Sequence, residues 1–223
     1  MSMGKTQDIV SQIRNKYIGM SVPVKAALWF TVCNFLQRGI SMITTPIFTR
    51  MLSTGEYGLY STYLSWETVL AMIVTLSLYK AMMNLYVKYD NQEKILSALC
   101  GLELLLSLIW LGIGIVFQKP LADLLQLPES LVCCLFFSFI FQAVFQCWSL
   151  YKRYVYDYRT LVLTTMISTA GSAALGVVAV AFFSPTAEAR VISSTFVTAV
   201  VGIVLYVAVF KKGKSFFDKK VWL

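Results

Sequence analysis

Long apolar stretches recur along the chain and are separated by short polar segments. Six of them, each about 20 residues or longer, cover residues 24–44, 57–78, 95–117, 131–151, 161–183 and 191–210. A helix needs about 20 apolar residues to cross the ~30 Å hydrocarbon core of a bilayer. Because the stretches are continuous rather than alternating, they predict transmembrane helices and not the strands of a barrel. We therefore predict an all-α integral membrane protein with six transmembrane helices over residues 24–210, a cytoplasmic leader (1–23) and a basic cytoplasmic tail (211–223).

The leader leaves two interpretations open. Ile9, Ile13 and Met20 fall near one helical face, with Arg14 and Lys16 off that face. This pattern is typical of a short helix lying in the membrane interface. A frayed polar leader is the alternative. The first span is long and no small-residue cleavage site follows it, so we expect no cleaved signal peptide.

The composition agrees with a membrane protein. Hydrophobic residues make up 58% of the chain and charged residues 13%, about half the charged share of an ordinary soluble domain. A water-soluble fold of this length has too little core to bury so many apolar side chains. These proportions exclude a soluble enzyme and a nucleic-acid-binding module.

The net charge of +8 is distributed asymmetrically. With the N-terminus in the cytoplasm, only Arg50, Lys119 and Arg190 fall in outside loops, and Arg38 lies inside the first span. The other 15 of the 19 basic residues fall in inside segments: Lys5, Arg14, Lys16, Lys25, Lys80, Lys88, Lys94, Lys152, Arg153, Arg159, Lys211, Lys212, Lys214, Lys219 and Lys220. Because cytoplasmic loops carry an excess of Lys and Arg, both termini are predicted to be cytoplasmic. Attraction to anionic membrane lipids is a secondary effect of the same charge, and no nucleic-acid partner is expected.

Residues that usually carry catalysis or hold metals are missing. The chain has no histidine, which excludes Ser-His-Asp and Cys-His catalysis and histidine metal sites. It also lacks the G-x-x-x-x-G-K-[ST] phosphate loop. The five cysteines all fall inside predicted spans without a C-x-x-C pair, and we interpret them as buried apolar residues: Cys33, Cys100, Cys133, Cys134 and Cys147. We therefore expect no enzyme activity, no cofactor and no metal site.

Polar side chains follow one face of three predicted spans. The stripes contain Thr31, Asn34, Arg38, Ser41 and Thr45 in the first span, flanked by Gln37 and Thr44; Ser61, Thr68 and Thr75 in the second, with Glu67 at the edge; and Ser138, Gln142, Gln146 and Ser149 in the fourth. A charge at mid-helix costs at least ~2.5–3.5 kcal/mol on insertion scales, so Arg38 is expected to face a water-filled cavity or a partner. Two compatible interpretations of Arg38 stay open: an anion-attracting position in the cavity wall, or a buried link to Glu67 or Glu103.

The remaining spans are less polar. The third is apolar on most sides and is predicted to face lipid, with its Glu103 either paired or reaching the interface. Small residues spaced by four in the fifth and sixth spans are interpreted mainly as helix packing rather than as a substrate site, and a hinge is a further alternative in the fifth. They are Ser168, Ser172 and Gly176, and Ser194, Thr198 and Gly202.

Residues 35–66 read FLQRGISMITTPIFTRMLSTGEYGLYSTYLSW. A first span with an internal polar stripe ends in a proline, Pro46. Thr49-Arg50, Leu52, Glu56-Tyr57-Gly58 and a polar-aromatic second span follow. This stretch resembles the start of a bacterial polysaccharide (O-antigen-type) flippase of the MOP exporter superfamily. A basic loop at 80–94, a short external turn near 119–128 and the basic stretch after the sixth span agree with the resemblance.

The resemblance implies a MATE-like fold, in which two six-helix lobes pack as a V around a central cavity and form parallel repeats. This chain would be the N-terminal lobe, present as a fragment, a truncated reading frame or a half-transporter, with a second lobe or a homodimer completing the cavity. The implied activity is transport of an undecaprenyl-pyrophosphate-linked oligosaccharide across the bacterial inner membrane for lipopolysaccharide or other surface polysaccharide biosynthesis. An ion gradient would drive it, and a polysaccharide polymerase and glycosyltransferases would be partners.

The polar stripes and the family resemblance together define the candidate site. The predicted cavity residues are Thr31, Asn34, Gln37, Arg38, Ser41, Arg50, Ser61 and Thr68, with Glu67 as the carboxylate for proton or cation coupling. Alternatives are a fixed salt bridge for Glu67 and an interfacial helix cap for Arg50. Two rival functions stay open. A drug or small-cation exporter of the same fold would need an acidic, aromatic cavity, and a non-transporting membrane scaffold would not need polar stripes facing water.

Overall fold

The computed structural model describes residues 15–88, 91–214 and 216. Within these residues the chain is helical and has no strand, which confirms the all-α prediction. The helices are α1 (Val22–Met51), α2 (Thr54–Val74), α3 (Met82–Lys88), α4 (Gln92–Val116), α5 (Gln118–Leu125), α6 (Glu129–Tyr154), α7 (Tyr158–Phe182) and α8 (Ala187–Gly213), with a 3₁₀ turn at Leu78–Ala81. Residues 15–19 are also helical. The rest of the proposed interfacial helix, including Ile9 and Ile13, and the tail from residue 217 onward lie outside the described residues.

Four of the described helices are long and apolar enough to cross a membrane: α4, α6, α7 and α8, with mean hydropathies of 2.2, 2.0, 1.7 and 2.2. Helix α2 and Leu78–Tyr86 meet the same test only when taken together, and because they are bent by 58° the pair is either one broken span or a re-entrant loop. Helix α1 overlaps the first predicted span but continues through Pro46 to Met51, so the prediction that Pro46 ends this span is wrong. Helix α1 does not meet the hydropathy criterion for a membrane span, because its polar stripe lowers its mean hydropathy. By length and composition, the described residues thus contain four or five spans, and six spans remain a prediction.

Helix α6 lies at the centre of the bundle. Helices α4 and α8 pack along it, and α7 packs against α8 and α1. Leu131, Leu135 and Phe139 of α6 are fully buried, and they form the interior of one of the hydrophobic clusters. The polar face of α6 is therefore held in a fixed position by the apolar residues on its other sides.

Helix α4 agrees only in part with its prediction as a lipid-facing helix. All seven residues from Ile95 to Gly101 are buried, and so are Glu103, Ser107 and Gly114, because this part of the helix packs against α6 and α8. Further along, Leu108, Ile109, Ile115 and Val116 are exposed apolar side chains. An apolar face toward lipid and an apolar face toward another helix have the same composition, so hydropathy alone could not distinguish them.

Ser53 and Glu56, at the start of α2, stabilise the junction between α1 and α2. Ser53 precedes α2 and its hydroxyl oxygen accepts a hydrogen bond from the backbone N–H of Glu56 (3.2 Å), an N-cap that satisfies an otherwise unpaired donor. The Glu56 carboxylate accepts a hydrogen bond from the backbone N–H of Ala187 at 2.5 Å. Glu56 therefore joins the first turn of α2 to the first turn of α8, where a negative charge is favourable.

The second predicted span is interrupted. Helix α2 ends at Val74, and Leu76 and Ser77 both have left-handed backbone conformations (φ 48° and 50°). Non-glycine residues rarely adopt this conformation, and two in succession end a right-handed helix. The Thr75 hydroxyl donates to the carbonyl of Ala71 (2.8 Å) and accepts from the N–H of Ser77 (3.3 Å). We call residues 75–79 the α2 break.

Glu103 of α4 holds the far side of the α2 break. Its carboxylate accepts a hydrogen bond from the backbone N–H of Tyr79 at 3.1 Å, and the residue is 0% exposed. Its other oxygen, Oε2, has no hydrogen-bond partner among the described residues. The expectation that Glu103 reaches the interface is therefore wrong. The partner of Glu103 is the backbone N–H of Tyr79 in the α2 break. A backbone contact of this kind cannot be predicted from a pattern of side chains.

Candidate functional site

A cavity of about 660 Å³ lies among α2, α6, α7 and α8, with α1 at its edge and the α2 break in its wall. We call it the main cavity. Each of these helices contributes polar side chains to it: Gln37 from α1, Glu67 and Thr68 from α2, Gln142 and Gln146 from α6, Ser168 and Thr169 from α7, and Thr198 from α8. These side chains are partly exposed to the cavity, and water or a polar ligand would satisfy their hydrogen bonds.

Glu67 is the acidic group of the main cavity. Its carboxylate accepts a hydrogen bond from the side-chain amide of Gln142 at 2.6 Å. The same amide nitrogen also donates to the hydroxyl of Ser138 at 3.2 Å. The network fixes the carboxylate against α6, so both polar stripes that the sequence showed in the second and fourth spans meet here.

Gln37 connects α1 to the other wall of the main cavity. Its amide donates to the hydroxyl of Thr169 on α7 at 3.2 Å. Of the predicted set, the structure thus brings Gln37, Glu67 and Thr68 together in one cavity.

The other predicted residues do not line the main cavity and are exposed in this chain, and their place in a cavity completed by a second lobe stays a prediction: Thr31, Asn34, Arg38, Ser41, Arg50 and Ser61. The hydroxyls of Thr31 and Ser41 donate to carbonyls one turn earlier in α1. Arg50 occupies the last turn of α1, where a cation is favourable next to the C-terminal end of the helix dipole. Arg38 is exposed, whereas Glu103 is fully buried and Glu67 bonds to Gln142, so neither link considered for Arg38 is formed.

A second, smaller cavity of about 260 Å³ adjoins the main cavity, and Glu67 and Thr198 line both. We call it the side chamber. Its wall also contains Arg190, together with Tyr60, Leu64, Ser138, Ser172, Ser194 and Thr195. Arg190 is only 8% exposed, so a cation is buried here within the bundle.

Arg190 was assigned to an outside loop by the sequence argument, and this assignment is wrong. The structure places it within the first turns of α8, which begins at Ala187. The available signal was its spacing, because Arg190, Ser194 and Thr198 recur at steps of four on one helical face. The sixth span was predicted to start at residue 191, so the prediction left out Arg190, the cation of this stripe.

The small polar residues of α7 and α8 also have a different role from the one expected. Ser168, Ser172, Ser194 and Thr198 line the main cavity or the side chamber, rather than only allowing helices to approach. Gly202 behaves as predicted: a Cβ atom there would lie 2.5 Å from the Cβ of Phe141. Along α8, Ser194 and Thr198 therefore line cavities, whereas Gly202, one turn further on, allows close packing against α6.

A comparison with known protein families matches residues 24–222 to a family described as polysaccharide biosynthesis protein. The match covers most of the chain and includes both cavities. The chain belongs to this family. No curated protein matches it at a significant level, and no solved structure does either.

Membership of the polysaccharide biosynthesis family agrees with the resemblance found in residues 35–66. It makes the chain a polysaccharide-related membrane protein, since several of its helices are long and apolar enough to cross a bilayer. Polysaccharide intermediates are polar, which fits the hydroxyl, amide and carboxylate groups of the main cavity.

Proposed function

We propose that this protein is a transport lobe that moves an undecaprenyl-pyrophosphate-linked oligosaccharide across the bacterial inner membrane for surface polysaccharide biosynthesis. The observation that carries the proposal is the main cavity of about 660 Å³, polar on several walls within a bundle of apolar helices. A sugar chain can replace water at hydroxyl and amide groups with little loss of hydrogen bonding. The α2 break adds unwound backbone to the same wall, which in membrane proteins is tolerated where it lines a cavity.

The finer parts of the proposal concern orientation and assembly. Both termini lie in the cytoplasm, α1 completes a set of six spans, and a second lobe or a second copy closes the cavity in a MATE-like arrangement. Glu67 couples transport to an ion gradient, since it is the carboxylate that the two cavities share. The protein acts as a transporter rather than an enzyme.

One observation favours a second candidate, a small-cation exporter of the same fold. The main cavity contains the carboxylate of Glu67 with the aromatic rings of Tyr79 and Phe145, while Arg38 is exposed outside it. An acidic, aromatic cavity is suited to cations. The family favours the polysaccharide intermediate, and the following two experiments separate the candidates.

Water access to the main cavity can be measured with adjacent residues of α2. Thr68 lines the main cavity, whereas the next residue, Val69, is an exposed apolar side chain of the same helix. We expect Thr68→Cys in native membranes to react with a membrane-impermeant thiol reagent on the order of tenfold faster than Val69→Cys, because thiolates form in water and not in lipid. The unsubstituted chain gives the background of its own cysteines. Equal, slow reaction at both positions would favour the scaffold over any transporter.

The role of Glu67 can be tested in cells whose surface polysaccharide depends on this protein. Glu67→Gln keeps the size of the side chain but removes the charge. We expect export of surface polysaccharide to fall on the order of tenfold or more at unchanged protein level. Glu129→Gln is the matched control, since Glu129 is exposed at the start of α6. Normal polysaccharide in Glu67→Gln cells that have become sensitive to cationic drugs would support the cation exporter instead.

A further inference from the structure

Three aromatic side chains from separate segments meet near the first turns of α1 and α7. Tyr17 comes from the helical residues 15–19, Trp29 from α1 and Tyr158 from α7. The rings of Trp29 and Tyr158 are nearly parallel (7°), with centroids 6.4 Å apart. The Trp29 indole N–H donates to the Tyr17 hydroxyl at 2.8 Å. The three rings therefore connect three segments of the chain, and they line neither the main cavity nor the side chamber.

A cavity of about 330 Å³ lies against these rings, and we call it the aromatic pocket. Arg159, Val162 and Leu163 of α7 complete its wall. Leu163 is 62% exposed and Trp29 is 40% exposed, so the aromatic pocket belongs to the surface of the bundle and not to its interior. Its wall combines apolar side chains with indole, phenol and guanidinium groups, which is the composition of a site for an amphipathic ligand.

The charges around the aromatic pocket are positive. Arg159 lines the pocket, and its Cζ atom lies 6.0 Å from the ring centroid of the preceding tyrosine. The Nζ atom of Lys25 lies 5.4 Å from the ring centroid of Tyr17. Within the described residues neither cation forms an ion pair, and the neighbouring carboxylate of Asp157 pairs with Lys152 instead (2.5 Å). A ligand with a negative charge would therefore complement the aromatic pocket.

The aromatic pocket also lies at the level expected for lipid head groups. Helix α7 is long and apolar enough to span a membrane, and Tyr158 is its first residue. Tyrosine and tryptophan favour this level because an apolar ring carries a polar O–H or N–H group. Val162 and Leu163 follow one turn further along α7, on the side of the hydrocarbon. The polar part of the wall is thus placed for a head group and the apolar part for acyl chains.

We infer that the aromatic pocket binds one anionic glycerophospholipid of the surrounding bilayer. Arg159 contacts the phosphodiester, Lys25 adds to the positive potential, and the acyl chains run along Val162 and Leu163. A soluble anion would leave this apolar wall uncovered, and a zwitterionic lipid would leave the positive charge unmatched. The inference does not rest on the proposed function, because it requires that α7 span a membrane and involves no transport step.

The chain offers a matched pair of arginines for the test. Arg159→Gln removes a charge from the wall of the aromatic pocket. Arg153→Gln removes the same charge from an exposed arginine at the same end of the bundle, whose Cζ atom lies 5.2 Å from the ring centroid of Phe30 and which does not line the pocket. Trp29→Leu removes a ring of the wall and the donor to Tyr17. Since Trp29 is partly exposed, this change leaves the interior packing of the bundle intact.

Binding is measured by native mass spectrometry of the purified full chain in detergent, titrated with phosphatidylglycerol or with phosphatidylcholine of the same acyl chains. We expect one phosphatidylglycerol to bind saturably and at least tenfold more tightly than phosphatidylcholine. Arg159→Gln should bind it about fivefold more weakly, which corresponds to about 1 kcal/mol for one cation at an anionic lipid. Trp29→Leu should also bind it at least threefold more weakly, whereas Arg153→Gln should stay within twofold of the unaltered chain.

Equal binding of the two lipids would overturn the inference. So would an equal loss in Arg153→Gln and Arg159→Gln, because it would show only a general attraction to the basic surface. Two competitors identify the ligand: displacement by glycerol 3-phosphate at equal concentration would indicate a soluble anion, and tighter binding of a polyprenyl diphosphate would indicate a lipid carrier, and either result contradicts a bilayer lipid. Melting temperatures recorded without lipid show that the variants are folded. Because no transport is measured, failure of the Glu67→Gln prediction would leave this result unaffected.

Discussion

Replacing Glu103 with alanine is expected to lower the free energy of unfolding by about 2–4 kcal/mol. Glu103 is 0% exposed, so the shorter side chain leaves a cavity between α4 and the α2 break. The substitution also removes the acceptor of the Tyr79 N–H, which Glu103 receives at 3.1 Å. Both losses fall on the α2 break, where short turns such as the hydrogen bond from the Leu78 N–H to the Thr75 carbonyl (3.0 Å) replace the continuous hydrogen bonds of α2.

Two further variants separate these losses. Glu103→Gln keeps an oxygen for the Tyr79 N–H and is expected to cost less than about 1 kcal/mol, whereas Glu103→Leu keeps most of the volume but leaves the N–H unpaired and should cost about 1–3 kcal/mol. Unfolding by sodium dodecyl sulfate in mixed micelles gives the free energies. If leucine proved as stable as glutamine, the carboxylate would not hold the α2 break.

The positions of the helices could largely be predicted from hydropathy. The stretches predicted at 95–117 and 161–183 correspond to α4 (Gln92–Val116) and α7 (Tyr158–Phe182), since apolar length is what defines a membrane helix. The second span differs more, because its pattern continues to residue 78 while the helix ends at Val74. Hydropathy measures composition and is insensitive to the left-handed residues that stop α2.

The candidate site was predicted only in part. Glu67 and Gln142 were each identified from polar stripes, but their contact across 75 residues of chain depends on how α2 and α6 pack. Arg38 was predicted as the cation inside a span and is exposed in this chain, whereas Arg190, which was predicted in a loop, is the cation that is buried among the described residues. A polar stripe in the sequence shows that one face of a helix is polar. Which neighbouring helix covers that face depends on how the helices rotate and pack, and this cannot be predicted from the stripe alone.

Gly202→Ala should lower the free energy of unfolding by about 1–3 kcal/mol, which is unusual for so small a change in a helix. A Cβ atom at this position would lie 2.5 Å from the Cβ and 3.0 Å from the Cα of Phe141. The second atom belongs to the backbone of α6, so no change of rotamer relieves the clash. Helices α6 and α8 must move apart, and the contacts between them weaken along with those of the cavity walls that they carry.

The control for this prediction is Gly112→Ala in α4, where a Cβ atom meets nothing within 4 Å. Alanine is the better helix former, so this variant should be as stable as the unaltered chain or more stable by up to about 1 kcal/mol. Measured by the same micelle unfolding, Gly202→Ala should fall well below Gly112→Ala. Equal stabilities would mean that α6 and α8 are not in close contact at Gly202. Because α6 carries Gln142 and α8 carries Arg190 and Thr198, such a result would also remove the geometric basis for both cavities.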